Sequence, residues 1–264
     1  MQRKKYNRKL FEQHIREAFA ASFSGWDFSY VNDYGGNPEE PLPWSYKLSV
    51  RNYMIYSECL LDMGTGGGEF LSTLQPLPKH TYATEAYKPN VDIAKIALSP
   101  LGVKVVEIEE GKQEESPLPF DNNFFDLVIN RHECYESREI YRILKPGGYF
   151  ITQQVGDKNN EDLRIIFGSI DIDEDFDWNL NIAVTNLKKT GFYMLRTKEH
   201  VGHSRFYDIR ALVYLLKVLP WEFPNFSIEK YESQLFNIYT KLVDNGYFDT
   251  IFHRFFIIAQ KKNG

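Results

Sequence analysis

The chain has 264 residues, a length that one α/β domain with insertions reaches, and 43% of the residues are hydrophobic and 25% charged. These fractions are those of globular proteins and exclude fibrous and intrinsically disordered classes. The formal net charge is −5, from 31 Lys and Arg against 36 Asp and Glu, so no positive overall field draws the protein to a polyanion. Nucleic acid is therefore a disfavoured partner.

Cysteine usage and the absence of long apolar runs indicate a cytoplasmic protein. Cys59 and Cys134 match no metal or disulfide spacing and suit a reducing compartment. No run of residues is apolar enough for a membrane span, and no apolar segment of a signal peptide follows the basic start. We expect a monomer with one domain over residues 1–264. Its expected parts are a helical N-terminal cap (1–57), a cofactor-binding core (58–156) and a C-terminal half with a helical insertion (157–264).

Aromatic residues are abundant at 16% of the chain, with 17 Tyr and 20 Phe. Many of them lie outside the central segment. They indicate either a pocket lined by aromatic rings or a core rich in Phe, and the sequence leaves both interpretations open.

The N-terminal part is predicted to be helical, then irregular. Apolar residues at helical spacing predict a helix near 4–23, whose apolar side must pack on another element. Residues 33–43 contain two glycines and three prolines, which predicts a loop. A short helix is expected after Trp44 and Tyr46.

From Cys59 onward, short apolar runs alternate with amphipathic stretches, as in βαβ units of a parallel sheet. The predicted strands are 58–62, 81–85, 103–108, 124–130, 148–154, 192–197 and 254–260. The predicted helices are 68–75, 89–99, 135–144, a segment ending at Gly191, 205–219 and 227–245. The acidic stretch 171–177 is interpreted as a solvated loop. The middle of the chain is therefore a doubly wound α/β fold.

A glycine-rich loop, Asp62-Met63-Gly64-Thr65-Gly66-Gly67-Gly68, joins the first predicted strand to its helix. Glycine allows positive φ and lets backbone N–H groups approach a ligand at the start of a helix. Twenty-one residues after Gly64 the next strand ends in Glu85, whose carboxylate can accept both hydroxyl protons of a ribose. The alternative is a tight turn without a ligand, but the offset of Glu85 favours a nucleoside site.

The loop departs from the dinucleotide fingerprint, which places Gly or Ala at the sixth position from Gly64, where this chain has Glu69. The pattern Asp-x-Gly-x-Gly-x-Gly instead resembles motif I of class I S-adenosylmethionine-dependent methyltransferases, of the type 11-like group. The resemblance implies S-adenosylmethionine as the cofactor, with Asp62 near its methionine end. The cofactor-binding residues that it implies in this part of the chain are Asp62, Gly64, Thr65, Gly66, Gly68 and Glu85.

The resemblance extends over about residues 58–156. Leu118–Val128 is similar to the family's segment leading into strand 4, and Arg142–Phe150 to its junction with strand 5. It implies a mostly parallel, seven-stranded, Rossmann-like methyltransferase sheet with helical insertions. The family's pair that touches the adenine edge corresponds to Glu114 and Glu115, with Gln113 adjacent; the alternative there is a solvated acidic loop.

In an open α/β sheet, ligands bind outside the carboxyl ends of the strands, so the residues that follow strands 4 and 5 are expected to face the reacting methyl group. His132 is the candidate general base, and the alternative is that it hydrogen-bonds to the backbone or packs on the cofactor. Asn130 and Arg131 are assigned to the cofactor, and Tyr135 and Gln153 to the acceptor. For Arg131 the alternatives are an acidic substrate or a salt bridge to Glu133 or Glu136.

Two further segments are expected to contact the acceptor. Trp44 and Tyr46 precede the core, where the family often folds an N-terminal segment over its cofactor. Tyr207 belongs to the downstream insertion, for which an aromatic subcore is the alternative. His200 and His203 have the spacing of a metal pair, but no third ligand is evident, so no metal is expected.

The leading hypothesis is methyl transfer from S-adenosylmethionine to a small molecule, because an acidic chain with an aromatic insertion suits a closed pocket. The alternatives are an RNA or protein methyltransferase, a nicotinamide-dependent oxidoreductase, and a non-catalytic module that binds S-adenosylmethionine.

Overall fold

The structure is a computed structural model that describes residues 6–23, 29–109, 117–169 and 177–263. Gln113, Glu114, Glu115 and most of the acidic stretch lie outside the described residues. The chain divides into two compact units. Unit 1 comprises Met1–Pro41, Asp157–Asp177 and Val201–His253, and unit 2 comprises Leu42–Gly156, Trp178–His200 and Arg254–Gly264. The expectation of a single domain stays a prediction.

The strands of the described chain are β1 Cys59–Met63, β2 His80–Glu85, β3 Lys104–Glu107, β4 Phe125–Arg131, β5 Leu144–Val155, β6 Phe192–Phe206 and β7 Phe248–Lys261. The α-helices are α1 Arg8–Ala20, α2 Ser29–Asp33, α3 Tyr46–Met54, α4 Glu69–Ser72, α5 Lys88–Leu98, α6 Ser137–Ile143, α7 Glu161–Phe167, α8 Leu180–Thr190, α9 Ile209–Val218 and α10 Ile228–Asn245.

The strands form one seven-stranded sheet in the order β3-β2-β1-β4-β5-β7-β6. β1 pairs in parallel with β2 and β4, β2 with β3, and β4 with β5, whereas β7 is antiparallel to β5. The sheet order reverses at β1, where β2 lies on one side and β4 on the other. A crevice at such a reversal is where α/β sheets bind ligands.

The sheet of unit 2 is covered by a hydrophobic core on each face. Along β1, Leu61 and Met63 belong to one core and Leu60 to the other, as the alternation of side chains in a strand requires. Residues of α6 and α8 fill the first core, and residues of α3, α4 and α5 fill the second. The expected doubly wound class is confirmed, because helices cover both faces.

α3 belongs to unit 2, which begins at Leu42, whereas the sequence predicts it, with the rest of residues 1–57, to be part of an N-terminal helical cap of one domain. The reason is burial: Tyr46, Val50 and Met54 lie on one side of α3 and pack into a core of unit 2. Ser45 caps this helix, since its side chain accepts a hydrogen bond from the Leu48 N–H.

Unit 1 has its own hydrophobic core. α1 contributes Phe11, Ile15 and Ala18, which is the packing that its apolar side required. Phe206 and Phe223 of the downstream segment are also fully enclosed here, whereas Tyr207 is exposed. For Phe206 and Phe223, the interpretation as an aromatic subcore is therefore correct.

Some element bounds differ from those that the sequence predicts. The helix expected at 68–75 is only Glu69–Ser72, and after it the N–H groups of Thr73 and Leu74 donate to carbonyls three residues back, which tightens the chain and ends the α-helix. β6 and β7 are much longer than the runs predicted for them, and α2 and α7 were not predicted. No helix within the described ranges is both long enough and apolar enough to cross a membrane.

Candidate functional site

The glycine-rich loop follows β1 at the point where the sheet order reverses. Gly64 has φ +63°, and a Cβ there would lie 2.6 Å from the Glu133 side chain. Gly68 has φ +88°, and a Cβ there would meet Leu98 at 2.6 Å. Both positions need glycine, because positive φ strains other residues and neither has room for a side chain. The Glu133 and Leu98 side chains therefore pack directly against the backbone of the loop.

Glu85 ties this loop to the end of β2. Its Oε2 accepts a hydrogen bond from the Gly66 N–H at 2.7 Å, and its Oε1 accepts from Ala86 N–H at 3.0 Å and Tyr87 N–H at 2.9 Å. Only 5% of the Glu85 residue surface is exposed. Glu85, which the sequence predicts to bind the ribose, is therefore hydrogen-bonded to the predicted cofactor loop.

Asp62, at the end of β1, is a buried carboxyl group with an elevated pKa. Burial raises its pKa to about 7, although the hydroxyl of Thr65, which donates at 2.8 Å, and the charge of Arg131 pull it down. The nearby charge of Glu85 adds to the increase. A positively charged ligand group beside Asp62 would stabilise the ionised form.

Glu133 adds a third carboxyl group to this part of the molecule. Its side chain lies against Gly64, and burial and the charge of Glu85 raise its pKa. Asp62, Glu85 and Glu133 thus form an acidic cluster around the start of the loop. Such a cluster disfavours a phosphate and suits a cation.

Tyr46 reaches the carboxyl end of β4 from the start of α3. Its hydroxyl donates to the Asn130 carbonyl at 3.0 Å and accepts from the Asn130 N–H at 3.1 Å. Asn130 lies opposite Met63, the last residue of β1, so the pairing of β1 with β4 ends here. The Tyr46 hydroxyl then provides the hydrogen-bond partner that β1 no longer offers to the Asn130 backbone. The buried Tyr46 side chain therefore stabilises the carboxyl end of β4 beside the candidate site.

A buried polar network continues from Asn130 into β5. The Asn130 Oδ1 accepts from the Thr152 hydroxyl at 2.9 Å and from the Gln154 Nε2, which also donates to the Glu133 carbonyl at 3.0 Å. Within the described part of the chain, the buried Asn130 Nδ2 has no hydrogen-bond partner. The network therefore ties Asn130 of β4 and the Glu133 carbonyl after it to β5.

Trp44, Gln153 and His132 form a second chain of contacts. The Trp44 indole N–H donates to Gln153 Oε1 at 2.9 Å, and Gln153 Nε2 lies 3.2 Å from His132 Nε2. The His132 backbone N–H donates to the Gln153 carbonyl at 2.9 Å. Trp44 and Gln153 are buried, while the His132 ring is exposed.

His132 carries an imidazole of low basicity. Desolvation by the surrounding protein is the largest cause of its lowered pKa, and the charges of Arg254 and Arg131 act in the same direction. The ring is therefore neutral near pH 7. It retains a solvent-exposed surface in spite of that desolvation, so it remains accessible to a ligand.

Arg131 is an exposed cation beside the loop. Its guanidinium lies over the Phe70 ring at 4.4 Å, a cation–π contact. Across the described residues it makes no ion pair with Glu133 or Glu136, the partners that the sequence had offered as an alternative. Its charge is available to a ligand at this edge.

The structure brings most of the predicted site residues to one edge of the sheet of unit 2. Tyr135 is different, because it is buried in a core, where it packs on Phe150 and Trp178. Tyr207 belongs to unit 1, where its ring lies against Gly35. The roles assigned to individual residues stay predictions. The residues gathered at the edge are Trp44, Tyr46, Asp62, Gly64, Thr65, Gly66, Gly68, Glu85, Asn130, Arg131, His132 and Gln153.

Sequence reasoning missed Glu133 and Phe70. Glu133 lies within the segment that was singled out after strand 4, but its closeness to Gly64 depends on how that segment turns at His132, where φ is +63°. Phe70 offers no sequence signal beyond an apolar position within the predicted helix 68–75. Among the residues that the structure describes, no group of three or more His, Cys, Asp and Glu side chains could hold a metal ion.

The glycine loop, Asp62 and Glu85 suit the nucleoside and methionine ends of S-adenosylmethionine, since the loop lies where the sheet order reverses and the carboxyl groups beside it suit a cationic ligand. Residues 61–152 match the family model described as methyltransferase domain. The resemblance inferred from the motifs is thus confirmed over that segment, and the fold is the Rossmann-like fold of class I methyltransferases.

A curated relative is an uncharacterised methyltransferase, YcgJ, of Bacillus subtilis. It is 28% identical over 99 residues, which are 35% of this chain and 38% of the relative. The match thus spans about two fifths of the relative's length.

Two solved structures share the fold. A candidate methyltransferase of Bacillus halodurans has a TM-score of 0.55 and 19% identity, with 81% of this chain and all of that chain covered. A phosphoethanolamine N-methyltransferase of Haemonchus contortus, in complex with phosphomonomethylethanolamine and S-adenosylhomocysteine, has a TM-score of 0.51 and 18% identity. That match covers 89% of this chain and 57% of the other. At these identities the likeness shows the fold alone.

Proposed function

We propose that this protein transfers the methyl group of S-adenosylmethionine to a small-molecule acceptor. The observation that carries the proposal is the meeting of Asp62, Glu85 and the glycine loop at one point of the sheet, inside the segment that matches a methyltransferase domain. A small-molecule acceptor is supported by the net charge of −5 and, by analogy of fold, by the phosphoethanolamine methyltransferase.

Glu85, the glycine loop and Asp62 would hold the cofactor. Glu85 would offer a carboxylate oxygen to the ribose hydroxyls, and the backbone of the loop would bind the nucleoside. Asp62 offers negative charge to the methionine end, which carries an ammonium and a sulfonium group. When bound, S-adenosylmethionine supplies a methyl group that is already activated for displacement.

The acidic surroundings favour this cofactor over a nicotinamide dinucleotide. The Glu69 carboxylate lies against Gly66 and Gly67, where a pyrophosphate would have to approach the loop. With Asp62 and Glu85 nearby, a diphosphate would meet three carboxyl groups. Like charges at this distance disfavour binding.

The acceptor would bind at the carboxyl ends of β4 and β5. Trp44, Gln153 and His132 offer polar groups there, and Arg131 adds a positive charge. Methyl transfer needs in-line alignment and exclusion of water more than a particular side chain. The protein would therefore contribute polar groups in fixed positions at this edge of the sheet. Tyr46 supports them, because it hydrogen-bonds to the end of β4. Contacts of Tyr135 and Tyr207 with the acceptor stay predictions.

Transfer of a labelled methyl group tests this function. The full chain is incubated with methyl-labelled S-adenosylmethionine and three fractions of a cell extract: small molecules, RNA and protein. We expect label in the small-molecule fraction, resistant to nuclease and protease. Label in RNA or protein alone would overturn the small-molecule acceptor, and binding without turnover on any fraction would overturn catalysis. The Glu85→Gln variant is the control that should lose the labelling.

A further inference from the structure

The contact between Trp44 and Gln153 fixes the orientation of a buried amide. An indole N–H can only donate, so the atom of Gln153 that faces it at 2.9 Å must be the oxygen. The amide nitrogen then points the other way, toward His132. The orientation follows from the hydrogen-bond network, which is how the two ends of a glutamine amide are told apart.

The amide in turn fixes the protonation of His132. Its nitrogen carries only hydrogens to donate, and it lies 3.2 Å from His132 Nε2. Nε2 must therefore accept and carry no proton. A neutral imidazole with this nitrogen bare carries its hydrogen on Nδ1, and an imidazolium would set two donors against each other.

The ring is also held by its backbone. The His132 N–H donates to the carbonyl of Gln153, and φ of +63° turns the chain sharply after β4. Two contacts to one residue thus hold His132. Gln153 provides the ring's hydrogen-bond contact within the described chain, which leaves the Nδ1 side for a ligand at this exposed position.

We propose that Gln153, oriented by Trp44, is a positioning residue that holds His132 neutral with its proton on Nδ1, so that Nδ1 donates a hydrogen bond to an anionic oxygen of the methyl acceptor. The first half rests on the geometry alone, and the second rests on the proposed function. This assigns His132 the role of a donor, where the sequence had suggested a base.

The surrounding charge agrees with an anionic oxygen. Arg131 and Arg254 both lie close enough to His132 to lower its pKa. A neutral donor beside two guanidinium groups favours a negatively charged partner, such as a carboxylate or a phosphate. The acids Asp62, Glu85 and Glu133 lie instead around the cofactor loop.

Nitrogen-15 NMR of the histidine rings tests the first half without any substrate. In the wild type we expect His132 to show a bare Nε2 and a protonated Nδ1 at pH 7, with His132→Asn used to assign its signals. Gln153→Glu should reverse this, because a carboxylate can only accept a hydrogen bond and therefore requires the proton on Nε2. Trp44→Phe should weaken the preference, whereas Trp178→Phe, a control in the same unit, should not. A wild-type ring protonated on Nε2, or unchanged by Gln153→Glu, would overturn the assignment.

Turnover of His132 variants tests the second half, in the labelling assay described above. An asparagine amide places an N–H where Nδ1–H lies and tolerates positive φ. His132→Asn should therefore retain most activity, whereas His132→Ala and Gln153→Glu should lose about 100-fold. Equal loss in His132→Asn and His132→Ala would overturn the donor role. If the wild type shows no turnover, the proposed function fails, and the NMR result still stands on its own.

Discussion

The Gly66 N–H donates to Glu85 Oε2 at 2.7 Å, and this bond joins the glycine loop to the end of the neighbouring strand. Nineteen residues separate the two positions in the chain. Parallel pairing of β1 and β2 brings them together, because the carboxyl ends of both strands lie at the same edge. The loop and the acid therefore lie in contact at one edge of the sheet.

Glu85→Gln should weaken binding of S-adenosylmethionine by about 10- to 100-fold, because a neutral amide replaces the charged acceptor offered to the ribose. Glutamine is preferable to alanine here, since three backbone N–H groups also depend on this side chain. Isothermal titration calorimetry measures the change.

The matched control is Glu107→Gln. Glu107 is the partner of Glu85 in the register of β2 and β3, but it is exposed. Its substitution should leave affinity within about twofold. Equal effects of the two variants would contradict the role of Glu85.

Gly64→Ala should reduce both stability and cofactor binding. The new Cβ would meet Glu133 at 2.6 Å and would also be strained at φ +63°. Gly102→Ala separates these causes, because Gly102 has φ +73° and no atom of the described residues lies within 4 Å of its added Cβ. We expect Gly102→Ala to cost about 1 kcal/mol in the free energy of unfolding and Gly64→Ala clearly more.

Denaturant unfolding and titration with S-adenosylhomocysteine measure the two effects. The Gly102 variant should bind the ligand normally. A Gly64→Ala protein with the stability of the Gly102 variant and unchanged affinity would show that Glu133 does not close on the loop.

Asp62→Asn should change the pH dependence of stability. In the folded protein the Asp62 pKa is raised from 3.8 to about 7, so between these values the folded state binds more protons than the unfolded one. This group's contribution to stability is complete below about pH 4 and is lost as the pH rises through about 7. Asparagine does not titrate, so the variant does not lose stability from this group as the pH rises.

Unfolding free energies of the ligand-free wild type and Asp62→Asn, measured at pH 5 and pH 8, give the comparison. The variant should gain about 2 kcal/mol relative to the wild type over this interval. Any cost of the substitution that does not depend on pH cancels in the difference. A constant difference would mean that Asp62 is ionised throughout.

Tyr46→Phe should destabilise the protein by about 1–3 kcal/mol, because it leaves the buried N–H and C=O of Asn130 without their hydroxyl partner. Tyr53→Phe is the control on the same helix, and it should change stability by less than about 0.5 kcal/mol. Thermal unfolding of both variants measures this. Similar losses would show that the two hydroxyl groups contribute alike.

The glycine loop and Glu85 could be predicted from the sequence because they obey local rules. An acid after an apolar run, followed by four glycines and then an acid at a fixed offset, specifies two strand ends and the turn between them. The sheet class followed from alternating apolar runs and amphipathic stretches, and the structure confirms it.

The contacts of Trp44 and Glu133 could not be predicted, because they depend on long-range packing. The hydrogen bond from Trp44 to Gln153 joins residues that are 109 positions apart in the chain, and the sequence around Trp44 does not indicate this partner. Glu133 approaches Gly64 only because the chain turns at His132 with positive φ, which histidine rarely adopts. The bounds of α4 and β6 differ from those predicted, because a local apolar pattern does not fix where a helix or an edge strand ends.

Thermal unfolding with saturating ligands tests the central claim most directly. S-adenosylmethionine, S-adenosylhomocysteine, NAD and NADP are compared, since a ligand at about a hundred times its dissociation constant adds about 2.7 kcal/mol of stability. The account predicts that the two S-adenosyl ligands raise the melting temperature and the two nicotinamides do not. A shift with a nicotinamide alone, or with none of the four, would contradict it.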